Sequence, residues 1–204
     1  MQTDHIVVRS FDPLLRLVHA WNALAIVGLV VTSQVAEAFE HGPLEPAIWR
    51  LHIQFGYALV GGLVARLLWG FIGPRHARWS DLWHPREWAA ALRGRFSFPP
   101  RPGHDALASA AFLALYAVLL AMSVTGLVLA GIEHAMGPFA ASLADETGLK
   151  HTFKEPHEAG FAIVLGFIAL HLGALAFHRF VQHVPVDQAM LTGNQYLPKE
   201  NLHA

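Results

Sequence analysis

The chain has 204 residues, of which 54% are hydrophobic and only 14% charged, and its net charge is −1. An ordinary soluble domain carries about 25% charged residues, so the composition points away from that class, and the near-neutral charge argues against nucleic acid as a partner. The absence of cysteine excludes disulfides, thiolate-bound iron–sulfur clusters and covalently attached haem.

The missing charge is concentrated in four apolar stretches, each longer than the ~20 residues that cross a hydrocarbon core of ~30 Å. They run over about 14–36, 49–72, 106–131 and 157–181. The first is too long for the apolar region of a signal peptide, which has ~7–15 residues, so we interpret it as a retained helix. The sequence predicts an all-α integral membrane protein, a four-helix bundle forming one domain over 1–204.

Charged residues between the spans predict the orientation of the chain. The segment 73–104 contains six arginines against Asp81 and Glu87, whereas the segments between the first two spans and between the last two are acidic. By the positive-inside rule, the arginine-rich loop and both termini are cytoplasmic. We therefore expect a multi-pass protein of a bacterial inner membrane, with the acidic segments in the periplasm.

Four histidines fall inside the predicted spans: His19 in the first, His52 in the second, and His157 and His171 in the fourth. Imidazole in lipid is costly unless it pairs, ligates or relays protons. His157 and His171 are fourteen residues apart, which is ~21 Å along a helix and within ~40° of the same face. The predicted orientation places His52 and His157 near the outer side, and His19 and His171 near the inner side.

Two histidines at each of two depths favour bis-imidazole ligation of two b haems, since helix bundles build cofactor sites from side chains on facing helices. The iron ligands are then His19, His52, His157 and His171. One alternative is that these are ordinary buried histidines that hydrogen-bond across helices. Another is a proton relay, although a relay usually recruits Asp or Glu, which the spans almost lack.

Three further polar residues in the spans are candidate cofactor contacts. Arg66 lies well inside the second span, where an unpaired cation is expensive, and haem propionates or carbonyl groups would be suitable partners. Arg16, one turn before His19, is either a similar partner or a side chain that extends to the interface. Asn22 is expected to bond either a haem group or a neighbouring helix.

Several segments resemble a known family. They are RLVHAWN from Arg16, HIQFGY from His52, RLLWGFIGPRHARWS from Arg66, the His157-Glu158 pair with His171 downstream, and MLTG from Met190. Together they are similar to the bacterial cytochrome b561 family, in its branch of hydrogenase-type b cytochrome subunits. Trp79 departs from that pattern, since phenylalanine is usual there.

The resemblance implies a four-helix, di-haem membrane cytochrome whose four ligands correspond to His19, His52, His157 and His171. It also implies electron transfer between the quinone pool and a periplasmic redox partner, a c-type cytochrome or a hydrogenase-like enzyme. We therefore expect an electron-transfer subunit of an oxidoreductase complex rather than a stand-alone enzyme. The acidic outer segments, with Lys150 and Lys154 as their lysines, favour a basic partner.

Three alternatives remain open from the sequence. A stand-alone superoxide:ubiquinone oxidoreductase would need a cationic outer surface to attract its substrate. A haem-free membrane anchor subunit would keep the four spans without using paired ligands, and a histidine-relay transporter is the weakest of the three. The identity of the partner, the direction of electron flow and the oligomeric state are not determined by these patterns.

Overall fold

The computed structural model of the protein describes residues 5–97, 101–144 and 146–198. Within these residues, four helices are long and apolar enough to cross a membrane. They are α1 (Pro13–Ala38), α2 (Glu45–Ile72), α4 (Ala106–His134) and α6 (Lys150–Phe180), with 26, 28, 29 and 31 residues. The expected mostly helical, multi-pass membrane architecture is confirmed.

The remaining elements are short. Between α2 and α4 lie two 3-10 turns, Arg75–Ala77 and Trp79–Leu82, and the helix α3 (Pro85–Leu92), which begins at a proline as helices often do. Between α4 and α6 lie α5 (Ala140–Leu143) and the 3-10 turn Thr147–Leu149. After α6 come α7 (Gln188–Thr192) and a strand, β2 (Asn194–Pro198), and a strand β1 (His5–Arg9) precedes α1. The predicted loop 73–104 includes residues 98–100, which lie outside the described residues.

The last long helix begins earlier than its apolar stretch predicts. The stretch starts at 157, but α6 begins at Lys150 and contains Pro156. The additional turns are polar, and Lys154 pairs with Glu158 one turn further along the helix, at 3.6 Å. Pairs at this spacing support an exposed helix, so hydropathy alone detects only the apolar part of the helix.

Contacts group the chain into two compact units, and each long helix contributes a segment to both. The first unit consists of Met1–His19, Arg66–Tyr116 and Phe167–Ala204, and the second of Ala20–Ala65 and Ala117–Gly166. We describe each unit by itself. The single domain over 1–204 stays a prediction.

In the first unit, the two strands form an antiparallel pair with Arg9 opposite Asn194 and His5 opposite Pro198. The turn before β2 is made by Gly193, whose positive φ of 89° is a conformation that favours glycine. The carbonyl of Gly193 accepts hydrogen bonds from the amides of Ser10 and Phe11, at 2.9 and 3.1 Å. The sequence analysis did not predict this small sheet.

Asp12 determines where α1 begins. One oxygen of its carboxylate accepts hydrogen bonds from the amides of Leu14 and Leu15, both at 3.0 Å, and so satisfies two of the unpaired amides of the first turn. The same carboxylate accepts a hydrogen bond from the indole of Trp69 on α2 at 3.1 Å. The cap therefore also joins α1 to α2 within the first unit.

In the second unit, small residues allow the long helices to approach closely. A Cβ on Gly28 of α1 would lie 2.6 Å from the ring of Phe55 on α2, and one on Gly160 of α6 would lie 2.6 Å from Met122 on α4. Close backbone approach of this kind is how helices associate in lipid, where no hydrophobic force drives them together. These contacts bring α1 against α2 and α4 against α6.

Candidate functional site

A mostly apolar cavity of about 240 Å³ lies in the second unit, lined by residues of all four long helices. His52 of α2 and His157 of α6 both line it. Gly56, one turn after His52, also lines the cavity, and a Cβ built on it would meet nothing within 4 Å. The second unit thus brings together two of the four predicted ligands at an open, apolar space.

The imidazole of His52 is held through its Nδ1. This nitrogen lies 3.0 Å from Oγ1 of Thr32 and 3.2 Å from the carbonyl oxygen of Leu29, both on α1. A carbonyl oxygen only accepts hydrogen bonds, so Nδ1 carries the proton. The other ring nitrogen, Nε2, is then unprotonated and has a lone pair available for a metal.

His157 is held in the same way from α4. Its Nδ1 lies 3.0 Å from Oγ1 of Thr125. The next residue, Gly126, provides the necessary space, since a Cβ there would lie 3.1 Å from Cε1 of the imidazole. The sequence analysis missed Thr32 and Thr125; a hydroxyl inside a predicted apolar span is the signal that could have drawn attention to them.

His19 and His171 both belong to the first unit. The ring of His171 stacks on that of Phe167 at 5.9 Å and 9°, and it meets Phe112 at 6.3 Å and 64°. Across residues 5–97, 101–144 and 146–198, neither imidazole makes a hydrogen bond. Both members of the second predicted pair thus lie in the first unit, and aromatic rings contact His171.

Arg66 is buried in the first unit, with 3% of its surface exposed. The guanidinium carbon lies 4.4 Å from the centre of the Trp79 ring and 5.7 Å from that of Tyr116, so cation–π contacts hold the charge. Within the described part of the chain, Nε and Nη1 have no hydrogen-bond partner. A buried cation with two unused donors is ready to bind an acceptor, and a carboxylate is the partner best matched to it.

The other two candidate contacts have different surroundings. Arg16 donates to three carbonyl groups at the end of α7, those of Met190 and Thr192, both at 3.2 Å, and that of Leu191. Asn22 packs against Gly62 of α2, and its buried Oδ1 has no partner among the residues described. Arg16 thus joins α1 to the C-terminal segment, while Asn22 retains an unused acceptor.

A second polar cluster lies in the loop between α2 and α4, centred on Asp81. His76 and His104 donate from Nδ1 to its two carboxylate oxygens, at 3.0 and 3.1 Å, and the amide of His104 donates at 3.2 Å. Burial raises the pKa of Asp81, but the hydrogen bonds from His104 and His76 outweigh it, so the pKa lies below its ordinary value of 3.8. The carboxylate is therefore ionised at neutral pH and links His76 to His104 within the loop.

Comparison with known proteins gives matches over most of the chain. Residues 10–193 match the family model for prokaryotic cytochrome b561. A probable Ni/Fe-hydrogenase B-type cytochrome subunit of Azotobacter chroococcum mcd 1 is 27% identical over 216 aligned residues, covering 91% of this chain and 87% of the relative. The protein of the same name from Azotobacter vinelandii is 32% identical over 145 residues, 60% of this chain and 59% of the relative.

No solved structure matches the chain at a significant level. The relatives confirm the resemblance to hydrogenase-type b cytochrome subunits that the motifs suggest. The family match covers far more than half of the sequence. The chain therefore belongs to the prokaryotic cytochrome b561 family.

Proposed function

We propose that this membrane b-type cytochrome binds two b haems and passes electrons between a periplasmic redox partner and the quinone pool. Family membership supports haem b and electron transfer. His52 and His157 hold one haem, and His19 and His171 hold the other. The observation that carries the proposal is the His52–His157 pair, which lines one cavity with both Nδ1 atoms already hydrogen-bonded.

The residues of the second unit fit a haem. An imidazole that would hold a haem iron needs an unprotonated Nε2, and hydrogen bonding at Nδ1 would provide it for both His52 and His157. The flat macrocycle needs apolar space, which the cavity supplies beside Gly56. A bound haem iron with two imidazole ligands supplies one-electron chemistry at a potential that burial and hydrogen bonding adjust.

The residues of the first unit are chemically suited to bind a second haem. His19 and His171 both belong to this unit, and aromatic rings contact His171. Arg66 adds a buried cation with two unused donors, which suits a propionate carboxylate. We assign Arg66 this role in preference to Arg16, whose guanidinium already binds three carbonyl groups. Asn22, in the second unit, is assigned to the other haem through the N–H donors of its amide, since a propionate carboxylate only accepts hydrogen bonds.

The proposed partner is a periplasmic electron-transfer protein or a hydrogenase-like enzyme, because the relatives are named as Ni/Fe-hydrogenase cytochrome subunits. Lys150 pairs with Glu133 at 3.1 Å and Lys154 pairs with Glu158 at 3.6 Å. These ion pairs offset the positive charge of the two lysines, which belong to the segment that we place in the periplasm. They support docking of a basic partner rather than attraction of superoxide.

Haem quantification tests the proposal most directly. Protein purified from membranes in mild detergent should contain two b haems per chain by the pyridine haemochrome assay, with low-spin iron in both. Fewer than two haems, or high-spin iron, would contradict the proposal, and a colourless protein would support the anchor alternative. Reduction of the oxidised protein by added quinol tests the quinone assignment separately.

A further inference from the structure

We propose that Thr32 and Thr125 are positioning residues for the iron ligands of the second unit. Each hydroxyl accepts a hydrogen bond from Nδ1–H of one histidine and so fixes the tautomer whose Nε2 can bind iron. The inference rests on the proposed function, which assigns a haem to His52 and His157. It adds to that function two residues that determine how strongly the ligands donate to the metal.

The hydrogen bonds of Thr32 fix the direction of its contact with His52. Its Oγ1 lies 2.6 Å from the carbonyl oxygen of Gly28, one turn earlier on α1, and 3.1 Å from that of Leu29. Nδ1 of His52 carries a proton, because it also contacts the carbonyl oxygen of Leu29, so the one hydrogen of the hydroxyl goes to a helix carbonyl. Toward the imidazole the hydroxyl must therefore accept, so Nδ1 of His52 donates.

Thr125 repeats this arrangement on the other side of the pair. Its Oγ1 lies 3.0 Å from the carbonyl oxygen of Ala121 and 3.1 Å from that of Met122, both on α4. Its Oγ1 also lies 3.0 Å from Nδ1 of His157, and we assign it the same role as Thr32: its hydrogen goes to its own helix and it accepts from Nδ1. Two unrelated stretches of sequence thus place the same group in the same role.

Two neighbouring serines show what a hydroxyl does here without a histidine. Ser33 donates to the carbonyl of Val30 at 2.9 Å, and Ser123 donates to that of Leu119 at 2.8 Å. Both serines line the same cavity. All four hydroxyls therefore lie within hydrogen-bond distance of a carbonyl of their own helix. Of the four residues, Thr32 and Thr125 also contact an imidazole.

The expected effect follows from the basicity of the ligand. A hydrogen bond accepted from Nδ1–H makes Nε2 a stronger donor and orients the ring. A stronger donor stabilises ferric over ferrous iron, so these hydrogen bonds lower the midpoint potential. Loss of such a partner costs about 10–100-fold in metal affinity at other sites, and we expect a loss in that range for haem retention.

The test uses purified holoprotein and the isosteric substitutions Thr32→Val and Thr125→Val, alone and together. In an optical redox titration, one of the two haem steps should move to higher potential and the other should stay in place. The ferric low-spin electron paramagnetic resonance signal of the same haem should shift. Thr→Ser at each position should restore both readouts. The control Ser142→Ala should change neither, because the hydroxyl of Ser142 donates to the carbonyl of Phe139 at 3.2 Å at an exposed position away from the cavity lining.

Each outcome decides the inference. Valine variants with normal haem content and unchanged potentials would overturn it. If a valine variant loses haem, the serine variant decides: wild-type content and potential support the hydroxyl, whereas equal loss assigns the threonine to packing and overturns the inference. Failure of the proposed function looks different, because the wild-type protein itself would then lack two b haems.

Discussion

The His52–His157 pair and the His19–His171 pair lie in helices of similar length and composition, but their rings are held differently. Threonine hydroxyls hold the first pair through Nδ1, at 3.0 Å on each side. In the second pair, Phe167 stacks on the ring of His171, and neither imidazole makes a hydrogen bond within the described residues. The proposed ligands are identical residues, but the two sites should differ, since the groups that contact an imidazole determine its donor strength.

A second difference lies in the charge near each pair. Tyr116 lies one turn of α4 after Phe112, which contacts His171, and it also lies beside the guanidinium of Arg66. A buried cation favours the reduced form of a nearby haem, because reduction adds negative charge. The difference in hydrogen bonding and the difference in charge both raise the potential of the second site relative to the first. We expect the haem of His19 and His171 to have the higher potential of the two.

The largest expected effect comes from removing one ligand. His52→Ala and His157→Ala should each abolish the lower-potential step of a redox titration and reduce haem content from two per chain to one. His19→Ala and His171→Ala should each abolish the higher-potential step. The reason is that a low-spin b haem requires both of its imidazoles.

The matched control is His151→Ala. His151 lies on α6, as His157 does, but its side chain is 90% exposed and pairs only with Glu155 in the described structure. It should leave both steps intact. Loss of the higher-potential step in His52→Ala, with the lower one retained, would show that the ligands are paired differently.

A smaller effect is expected from Arg66. Arg66→Met removes the cation and its unused donors, and hydrogen bonds to a charged group contribute about 1.5–3 kcal/mol. We expect roughly 10–100-fold weaker retention of the haem of His19 and His171, a lower potential for its step, and no change at the other haem. Haem content and redox titration measure both effects.

Two further variants test what Arg66 does. Arg66→Lys keeps the charge and should preserve the potential better than the methionine variant. Arg78→Met is the control, since Arg78 donates to the carbonyl of Gly73 at 2.7 Å and lies at an exposed position. If Arg66→Met left both haems and both potentials unchanged, the proposed role of Arg66 would be wrong.

The smallest expected effect is on thermal stability at acid pH, and it should be confined to the first unit. The pKa of Asp81 is below 3.8 in the folded protein, so the stabilisation that its ionised form provides is complete above 3.8. It is lost as the pH falls through the lowered folded pKa. Wild-type protein should therefore lose thermal stability over this acid range, with the haem of His19 and His171 affected first.

Asp81→Asn should lack that component of the pH dependence and be less stable at pH 7 by about 1 kcal/mol, a value reduced for partial solvent screening. Circular dichroism during heating measures both. Asp187→Asn is the control, because Asp187 makes an exposed pair with Arg179 at 2.7 Å. An unchanged acid profile in Asp81→Asn would show that other groups cause the acid sensitivity.

The four long helices could be predicted because an apolar run is a local property of the sequence. The pairing of β1 with β2 could not, since it joins residues nearly the whole chain apart, such as Arg9 and Asn194, and leaves no local pattern. The contact of Arg16 with the end of α7 is equally non-local. The sequence analysis therefore assigned Arg16 either to a contact with the cofactor or to the membrane interface.

At the site, the histidines were visible because a polar ring in an apolar span is unusual, and their role as ligands stays a prediction. Thr32 and Thr125 were not visible, because a threonine in a helix can satisfy its hydroxyl on its own carbonyls. Arg66 was recognised as a cation that needs partners. Its aromatic partner Trp79 was not identified, since it lies in a loop thirteen residues later.

That separation between Arg66 and Trp79 has a consequence for how the protein is made. When α2 enters the bilayer during synthesis, Arg66 lies six residues before the end of the helix. An arginine at a helix centre costs about 2.5–3.5 kcal/mol by insertion scales and one nearer the end costs less, and the aromatic ring that covers Arg66 has not yet emerged. The apolar remainder of α2 must offset this cost at the moment of insertion. Trp79 covers the cation only after the loop has been synthesised and folded back, so completion of the first unit is a late event in biogenesis.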